Sequence, residues 1–217
     1  MVEPQLFILD GLLRFLGAFV GFSVAFVSFK GYRETKSPTF LRLFVAFAFL
    51  GIGFTTQGFA GIAQSSVSSQ VIYAASILII SGAIFQTVGY FFLAFAHILD
   101  VVLTSRSKFP ILIPFFAIGS IASSVVDIAR PLSFYFLTYG VAETLIFYYR
   151  TRRPDTLIIA SGLILLAIGE FFGWLILLQN LSTLVTTVSL IVKLSGLFLL
   201  VIPVMRFTFR GSLPSDQ

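Results

Sequence analysis

The sequence predicts an all-α integral membrane protein of about seven transmembrane helices, and three observations lead to this fold class. Of its 217 residues, 58% are hydrophobic and only 11% are charged, and the mean hydropathy is +1.03. Soluble globular domains carry about 25% charged residues. A spanning helix takes roughly 20 apolar residues, so seven helices with short connections account for a single transmembrane domain over 1–217.

Seven apolar segments define the predicted helices. They cover residues 6–29, 40–63, 71–103, 109–129, 131–149, 156–178 and 184–205. The first segment has no basic region before it and is too long for a signal peptide. We expect Pro131 to begin the fifth helix, because proline is favoured in the first turn of a helix. Residues 206–217 are predicted to form a short cytoplasmic tail.

The basic residues predict an N-terminus outside and a C-terminus in the cytoplasm. The second and sixth connections contain no Lys or Arg, and the fourth contains only Arg130. Cytoplasmic loops of membrane proteins carry an excess of Lys and Arg, which predicts a multi-pass protein with these basic connections on the inside. Topology thus explains the net charge of +5 without nucleic acid as a partner. The residues on the predicted inner side are Lys30, Arg33, Lys36, Arg42, Arg106, Lys108, Arg150, Arg152, Arg153, Arg206 and Arg210.

An internal repeat divides the chain. Tyr32-Arg33 through Pro38, followed by Leu50-Gly51-Ile52-Gly53, recurs as Tyr149-Arg150 through Pro154, followed by Leu166-Ala167-Ile168-Gly169. The match takes one gap in the loop and then a constant offset of 116 residues (50 to 166). Parallel repeats of this kind occur in transporters. We predict a 3+1+3 arrangement with repeat A over 6–103, a linker helix over 109–129 and repeat B over 131–205.

Several ionisable residues fall inside the predicted membrane helices, where charges are costly and expected to pair. Glu170 and Lys193 lie roughly 12 and 15 Å below the outer ends of consecutive helices at 1.5 Å per residue, so they are expected to meet. If the bundle closes, Arg14 joins them with Asp10 one turn away, and Glu143 lies near the middle of the fifth helix. This predicts a buried charged cluster, which we interpret as a functional site. The alternative is a structural clamp that fixes helix register.

Other polar residues suggest weaker candidates. Gln86 on the third helix, and Thr186 and Ser189 on the seventh, belong to polar stripes at helical spacing. His97 and Asp100 are one turn apart and form a candidate proton relay, or two interfacial residues that reach lipid headgroups. A single histidine and no cysteine argue against a metal site. No soluble-enzyme motif occurs, so we do not expect an enzyme.

The loop Gly31-Tyr32-Arg33-Glu34-Thr35-Lys36-Ser37-Pro38, followed by an apolar helix with Gly51 and Gly53, resembles a diffuse group of archaeal seven-helix membrane proteins. Some members are fused to histidine kinases as sensor domains. The resemblance implies an archaeal plasma membrane and assigns no functional residues. The chain also resembles microbial rhodopsins in its helix number and in Lys193 on the seventh helix, which would imply retinal bound there. Gln86 stands where rhodopsins usually place an acidic counterion, so we expect no cofactor.

Three classes of function remain. A transporter or channel for a small solute or ion would use the charged cluster and the polar stripes as its path. A sensor would bind a ligand at the same cluster and signal through a protein partner at its basic cytoplasmic face. A structural subunit would dock through glycine faces such as Gly17-x-x-x-Gly21, within a larger complex or a homo-oligomer in the lipid bilayer. We choose transport, because polar residues line several helices.

Overall fold

The computed structural model describes the backbone of residues 4–64, 68–104, 125–179 and 183–210, and all its regular elements there are helices. Five of these six helices are long and apolar enough to cross a membrane. The other is the fourth, which carries Asp127, Arg130 and Glu143. The protein is therefore an all-helical, multi-pass membrane protein. The helices are α1 (Pro4–Thr35), α2 (Pro38–Gln64), α3 (Ser69–Thr104), α4 (Val125–Thr151), α5 (Pro154–Gln179) and α6 (Thr183–Arg210).

The six helices pack as a closed ring. Each helix contacts the helix before it and the helix after it in the chain, and α6 contacts α1. Leucine and phenylalanine side chains such as Phe47, Leu137 and Leu197 are fully buried between the helices. Phe19 and Phe26 are instead 71% exposed on α1, as expected of side chains that face lipid. Ring closure brings the first and last helices together. The sequence alone did not predict whether the bundle would close.

Helices α3 and α4 run parallel to each other. Phe91 contacts Phe136, and Phe95, one turn later on α3, contacts Tyr139, one turn later on α4. Because the chain has to cross the membrane once more between two consecutive parallel helices, this pair agrees with the predicted further spanning segment between them. That segment, the predicted linker helix over 109–129, lies outside the described residues except for 125–129, which belong to α4.

Pro131 does not begin a helix, contrary to the prediction. It lies inside α4, which already starts at Val125. A proline in a helix removes one backbone hydrogen bond and crowds the carbonyl four residues earlier, but polar side chains and neighbouring helices make it tolerable in membranes. Two residues before the proline, the Ala129 carbonyl accepts hydrogen bonds from Ser133 Oγ at 2.8 Å and from Thr87 Oγ1 at 3.1 Å, so polar side chains bond the backbone near Pro131. A proline looks the same in sequence at a helix start and at such a supported position.

The turns after α1 and α4 are alike. Lys36 and Arg152 adopt the left-handed conformation, with φ of 55° and 54°. The Lys36 N–H donates to the Tyr32 carbonyl, and the Arg152 N–H to the Tyr148 carbonyl, both at 2.8 Å. This bond and conformation form a standard helix C-terminal cap. The two turns match at an offset of 116 residues without a gap. Tyr32 therefore matches Tyr148, whereas the sequence alignment had matched it to Tyr149.

Candidate functional site

A buried ion pair joins α5 and α6. Lys193 Nζ lies 2.7 Å from Glu170 Oε1, and the two residues are only 7% and 2% exposed. A Cβ added at Gly169 would overlap Lys193 Cγ and lie 3.1 Å from the Ser189 carbonyl oxygen. The glycine therefore gives the lysine stem room to cross α5. Ser189 Oγ donates to the Gly169 carbonyl at 2.7 Å, which fixes the register of the two helices beside the pair.

Arg130 on α4 is a further charge beside this ion pair. Its Nη1 lies against Gly173, at which an added Cβ would overlap Nη1 and lie 3.6 Å from Lys193 Nζ. The charges of Arg130 and Lys193 each interact with the charge of Glu170, and the charge of Arg130 also interacts with that of Lys193. Sequence reasoning assigned Arg130 to an outer connection and did not include it in the cluster. The available signal was its position 116 residues after Arg14 (14 to 130).

The hydroxyl of Tyr90 on α3 also belongs to this side of the interior. Tyr90 is 0% exposed and interacts with the Glu170 carboxylate. The contact lacks the geometry of a full hydrogen bond, because within the described part of the chain the buried Tyr90 Oη has no hydrogen-bond partner. Buried polar atoms in this state cost free energy, which a bound polar group would recover.

A second network joins α1, α2 and α3. Arg14 Nε donates to Asp10 Oδ2 at 2.6 Å, and Arg14 Nη1 donates to Gln57 Oε1. The amides of Gln57 and Gln86 face each other, and each Nε2 donates to the other's Oε1 at 3.3 Å. Asp10, Gln57 and Gln86 are all buried. Every member has a partner, so this network is a connected chain of hydrogen bonds across three helices.

The two groups are close enough to interact electrostatically. The charge of Arg14 acts on both Arg130 and Lys193, and the charge of Asp10 acts on Arg130. Arg14 was predicted as a direct member of the Glu170–Lys193 cluster, but its hydrogen bonds go to Asp10 and Gln57. We call the combined set the interior polar layer. It consists of Asp10, Arg14, Gln57, Gln86, Tyr90, Arg130, Glu170 and Lys193.

The remaining predicted residues lie elsewhere. Glu143 does not join the buried cluster, because it is 13 residues after Arg130 on α4, about 20 Å along the axis at 1.5 Å per residue. It is half-buried and interacts with Tyr139. Thr186 is half-buried on α6. His97 and Asp100 belong to α3, but their side chains lie outside the described residues, so the proton relay stays a prediction.

Fold and site define a polytopic α-helical membrane protein with a charged interior. Among the described residues, no three His, Cys, Asp or Glu side chains are placed to hold a metal ion. No protein-family model matches the chain, and neither a curated protein nor a solved structure is similar enough to count as a match. Function therefore has to be argued from the interior polar layer itself.

Proposed function

We propose that the protein is a transporter or channel for a small solute or ion, and that its path passes through the interior polar layer. The observation that carries the proposal is that all six described helices supply a buried or half-buried polar side chain to this layer. A device that only fixes helix register needs one pair of residues. Binding sites of secondary transporters lie at the interface of their repeats, inside the membrane.

The ion pair suits this role because it is exchangeable. Glu170 and Lys193 neutralise each other in the resting protein, and a charged solute that enters the layer competes for either partner. Intramembrane ionisable residues commonly mark substrate and ion pathways. Tyr90 and Arg130 add polar groups beside the pair, so a solute that separates Glu170 from Lys193 would find other partners there.

Flux measurements in proteoliposomes test the proposal. The purified protein is reconstituted, and currents across planar bilayers are recorded under a salt gradient, whose reversal potential tells cation from anion flux. We expect flux above that of protein-free membranes for the wild type and for Arg206→Gln, a matched control at an exposed ion pair with Asp155. The double variant Glu170→Gln/Lys193→Met should fold but lose flux. Unchanged flux in the folded double variant would overturn the proposal.

We further propose an N-outside, C-inside orientation in the plasma membrane. Exposed basic side chains surround the turns after α1 and α4, including Arg33, Lys36, Arg152 and Arg153, and the positive-inside rule places that end in the cytoplasm. The chain has no native cysteine, so single cysteines are clean probes. Ser68→Cys should react with an impermeant thiol reagent in intact cells, whereas Arg153→Cys should not. The opposite result would reverse the orientation.

The same basic end favours one alternative, a membrane sensor that signals through a cytoplasmic partner, as the resemblance to kinase-fused proteins implies. Such a protein would bind a ligand at the interior polar layer without moving it across the membrane. Absence of flux in proteoliposomes, together with ligand-dependent stabilisation of the purified protein, would favour the sensor. A visible absorption band of the purified protein would add retinal bound to Lys193 as a Schiff base.

A further inference from the structure

The two halves of the ring, α1–α3 and α4–α6, pack their second and third helices in the same way. In each half, one glycine of the second, middle helix faces a carbonyl oxygen and a long side chain of the third helix. One glycine of the third helix in turn faces a carbonyl oxygen and a leucine of the middle helix. The first half has Gly53 with Gly82 and Gln86, and Gly89 with Ala46 and Leu50; the second has Gly169 with Ser189 and Lys193, and Gly196 with Gly162 and Leu166.

These contacts give constant offsets between the halves. The middle helices match at 116 residues (53 to 169) and the third helices at 107 residues (86 to 193). The interfaces between the halves follow the same offsets. Thr87 contacts Ser133 between α3 and α4, and the side chain of Leu194 lies against Gly17 between α6 and α1. A two-fold rotation of one half onto the other accounts for all of these pairs.

The first helices carry an arginine at matching positions, 14 and 130. Arg14 Nη1 meets residue 57 of α2, and Arg130 Nη1 lies against residue 173 of α5, again 116 residues later. Each guanidinium therefore lies over the matching position of its middle helix, and that of Arg130 lies closer to the helix, in the space where a side chain at residue 173 would begin. What differs is the residue below it, because residue 57 is a glutamine and residue 173 is a glycine.

The surroundings of the two arginines are chemically unequal. Arg14 has the carboxylate of Asp10 and the amide oxygen of Gln57 as acceptors, whereas the matching positions beside Arg130 are Val126 and Gly173. Glu170, which acts on Arg130, is already paired with Lys193. Glu170 thus acts on two cations around Gly173. Asp127, three residues before Arg130, also has an interacting partner.

We propose that this second half binds a small oxyanion, a carboxylate or an inorganic oxyanion, between Arg130 and Lys193, beside Gly173. One oxygen of the ligand accepts a hydrogen bond from Arg130, as the Gln57 amide oxygen accepts one from Arg14. The planar guanidinium presents paired donors that match carboxylate and phosphate geometry, and the Tyr90 hydroxyl, a buried donor without a full hydrogen bond, lies on the Glu170 side of the site. The proposal names the substrate class of the proposed function and rests on the same interior layer.

Thermal unfolding of the purified full chain in detergent tests anion binding directly. Sodium acetate, nitrate, sulfate and phosphate are compared with sodium HEPES, whose anion is bulky, at equal ionic strength. Saturation by a ligand at 100 times its Kd stabilises a protein by about 2.7 kcal/mol. For a chain of this size, that free energy corresponds to a rise of roughly 5–10 °C in the unfolding midpoint. The acetate arm reports carboxylates and the other arms report inorganic oxyanions.

Two variants remove the site in different ways, and one leaves it intact. Arg130→Gln removes the guanidinium. Gly173→Gln supplies an internal amide oxygen at the position that matches Gln57, and its Cβ meets only the movable end of Arg130 and the Lys193 ammonium, so it should fold even if Arg130→Gln does not. Arg206→Gln removes an exposed arginine as the matched control.

We expect at least one oxyanion to raise the midpoint of the wild type and of Arg206→Gln, and no rise in Arg130→Gln or Gly173→Gln. No shift of the wild type with any of the four salts, or a full shift retained in either folded site variant, would overturn the anion site. Binding without flux would leave the anion site standing and contradict transport. Cation flux in proteoliposomes without anion binding would support transport and contradict the anion site.

Discussion

The first and second halves of the ring place an arginine over the matching position of their middle helix, yet the described side chains around the two arginines differ. Arg14 donates to Asp10 and Gln57. Arg130 lies against Gly173, beside an ion pair that already uses Glu170. The packing contacts of the glycines and leucines match, so the difference lies in the polar residues.

This contrast separates two uses of buried polarity. A fully connected network stabilises and orders a core, whereas a partly satisfied one is costly. The first half, with its reciprocal Gln57–Gln86 amides, has the character of a scaffold. On the other side of the layer, the Tyr90 hydroxyl of α3 is buried without a hydrogen-bond partner within the described part of the chain, beside the Glu170–Lys193 pair. A polar ligand in the layer would give that hydroxyl a partner.

The largest expected difference between the halves is in the cost of removing each arginine. Arg14→Gln leaves the buried Asp10 carboxylate without its cation, and breaking a buried pair in this way costs about 3–5 kcal/mol. Arg130→Gln removes a positive charge that opposes Lys193, so we expect it to change the free energy of unfolding by less than about 1 kcal/mol. Unfolding by SDS in mixed micelles measures both. Equal losses would mean that the two arginines are equally paired.

A smaller effect is expected at the glycines that match between the halves. Gly53→Ala and Gly169→Ala each push a Cβ into the third helix, and overpacking of this kind costs about 1–3 kcal/mol. At Gly140 the nearest atoms to an added Cβ belong to Ala94, at 3.4 Å, an ordinary contact. Gly140→Ala is therefore the control and should be neutral or stabilising by up to about 1 kcal/mol. A cost at only one of Gly53 and Gly169 would break the equivalence of the halves.

The smallest effect is expected at the interface between the halves. Thr87→Val removes the hydroxyl that contacts Ser133 Oγ at 2.9 Å and the Ala129 carbonyl. Hydrogen bonds between membrane helices contribute about 0.6 kcal/mol on average, and we expect a loss of that size in the unfolding assay. Thr138→Val removes a hydroxyl that bonds only within α4, to Phe134, and should cost less. A loss above about 2 kcal/mol would exceed the largest such bonds.

Much of the fold could be predicted from the sequence, because apolar length alone defines membrane helices. The all-helical, multi-pass prediction is confirmed, and the described helices match six of the seven predicted segments to within a few residues at most ends. The start at Pro131 was wrong, because Pro131 lies inside a helix that begins at Val125. A proline in the first turn of a helix and a proline inside a membrane helix look alike in a local sequence pattern.

The site was less accessible to sequence reasoning. The depths of Glu170 and Lys193 on consecutive helices indicated their contact, and helical spacing linked Asp10 to Arg14. Counting basic residues for topology assigned Arg130 to a connection, although its helix begins five residues earlier at Val125. Glu143 was placed in the cluster because segment bounds misjudged its depth. Gln57 was not among the predicted site residues, because its contact with Arg14 depends on how α1 and α2 are rotated about their axes.

The central claim is that Glu170 and Lys193 share one interior site, and a double-mutant cycle in unfolding free energy tests it most directly. Glu170→Gln and Lys193→Met should each cost about 3–5 kcal/mol because each strands a buried charge, and the double variant should recover much of that loss. The exposed pair Asp155→Asn and Arg206→Gln is the control and should couple by no more than about 1 kcal/mol. Additive losses at Glu170 and Lys193 would contradict the account, because residues that do not meet show no coupling.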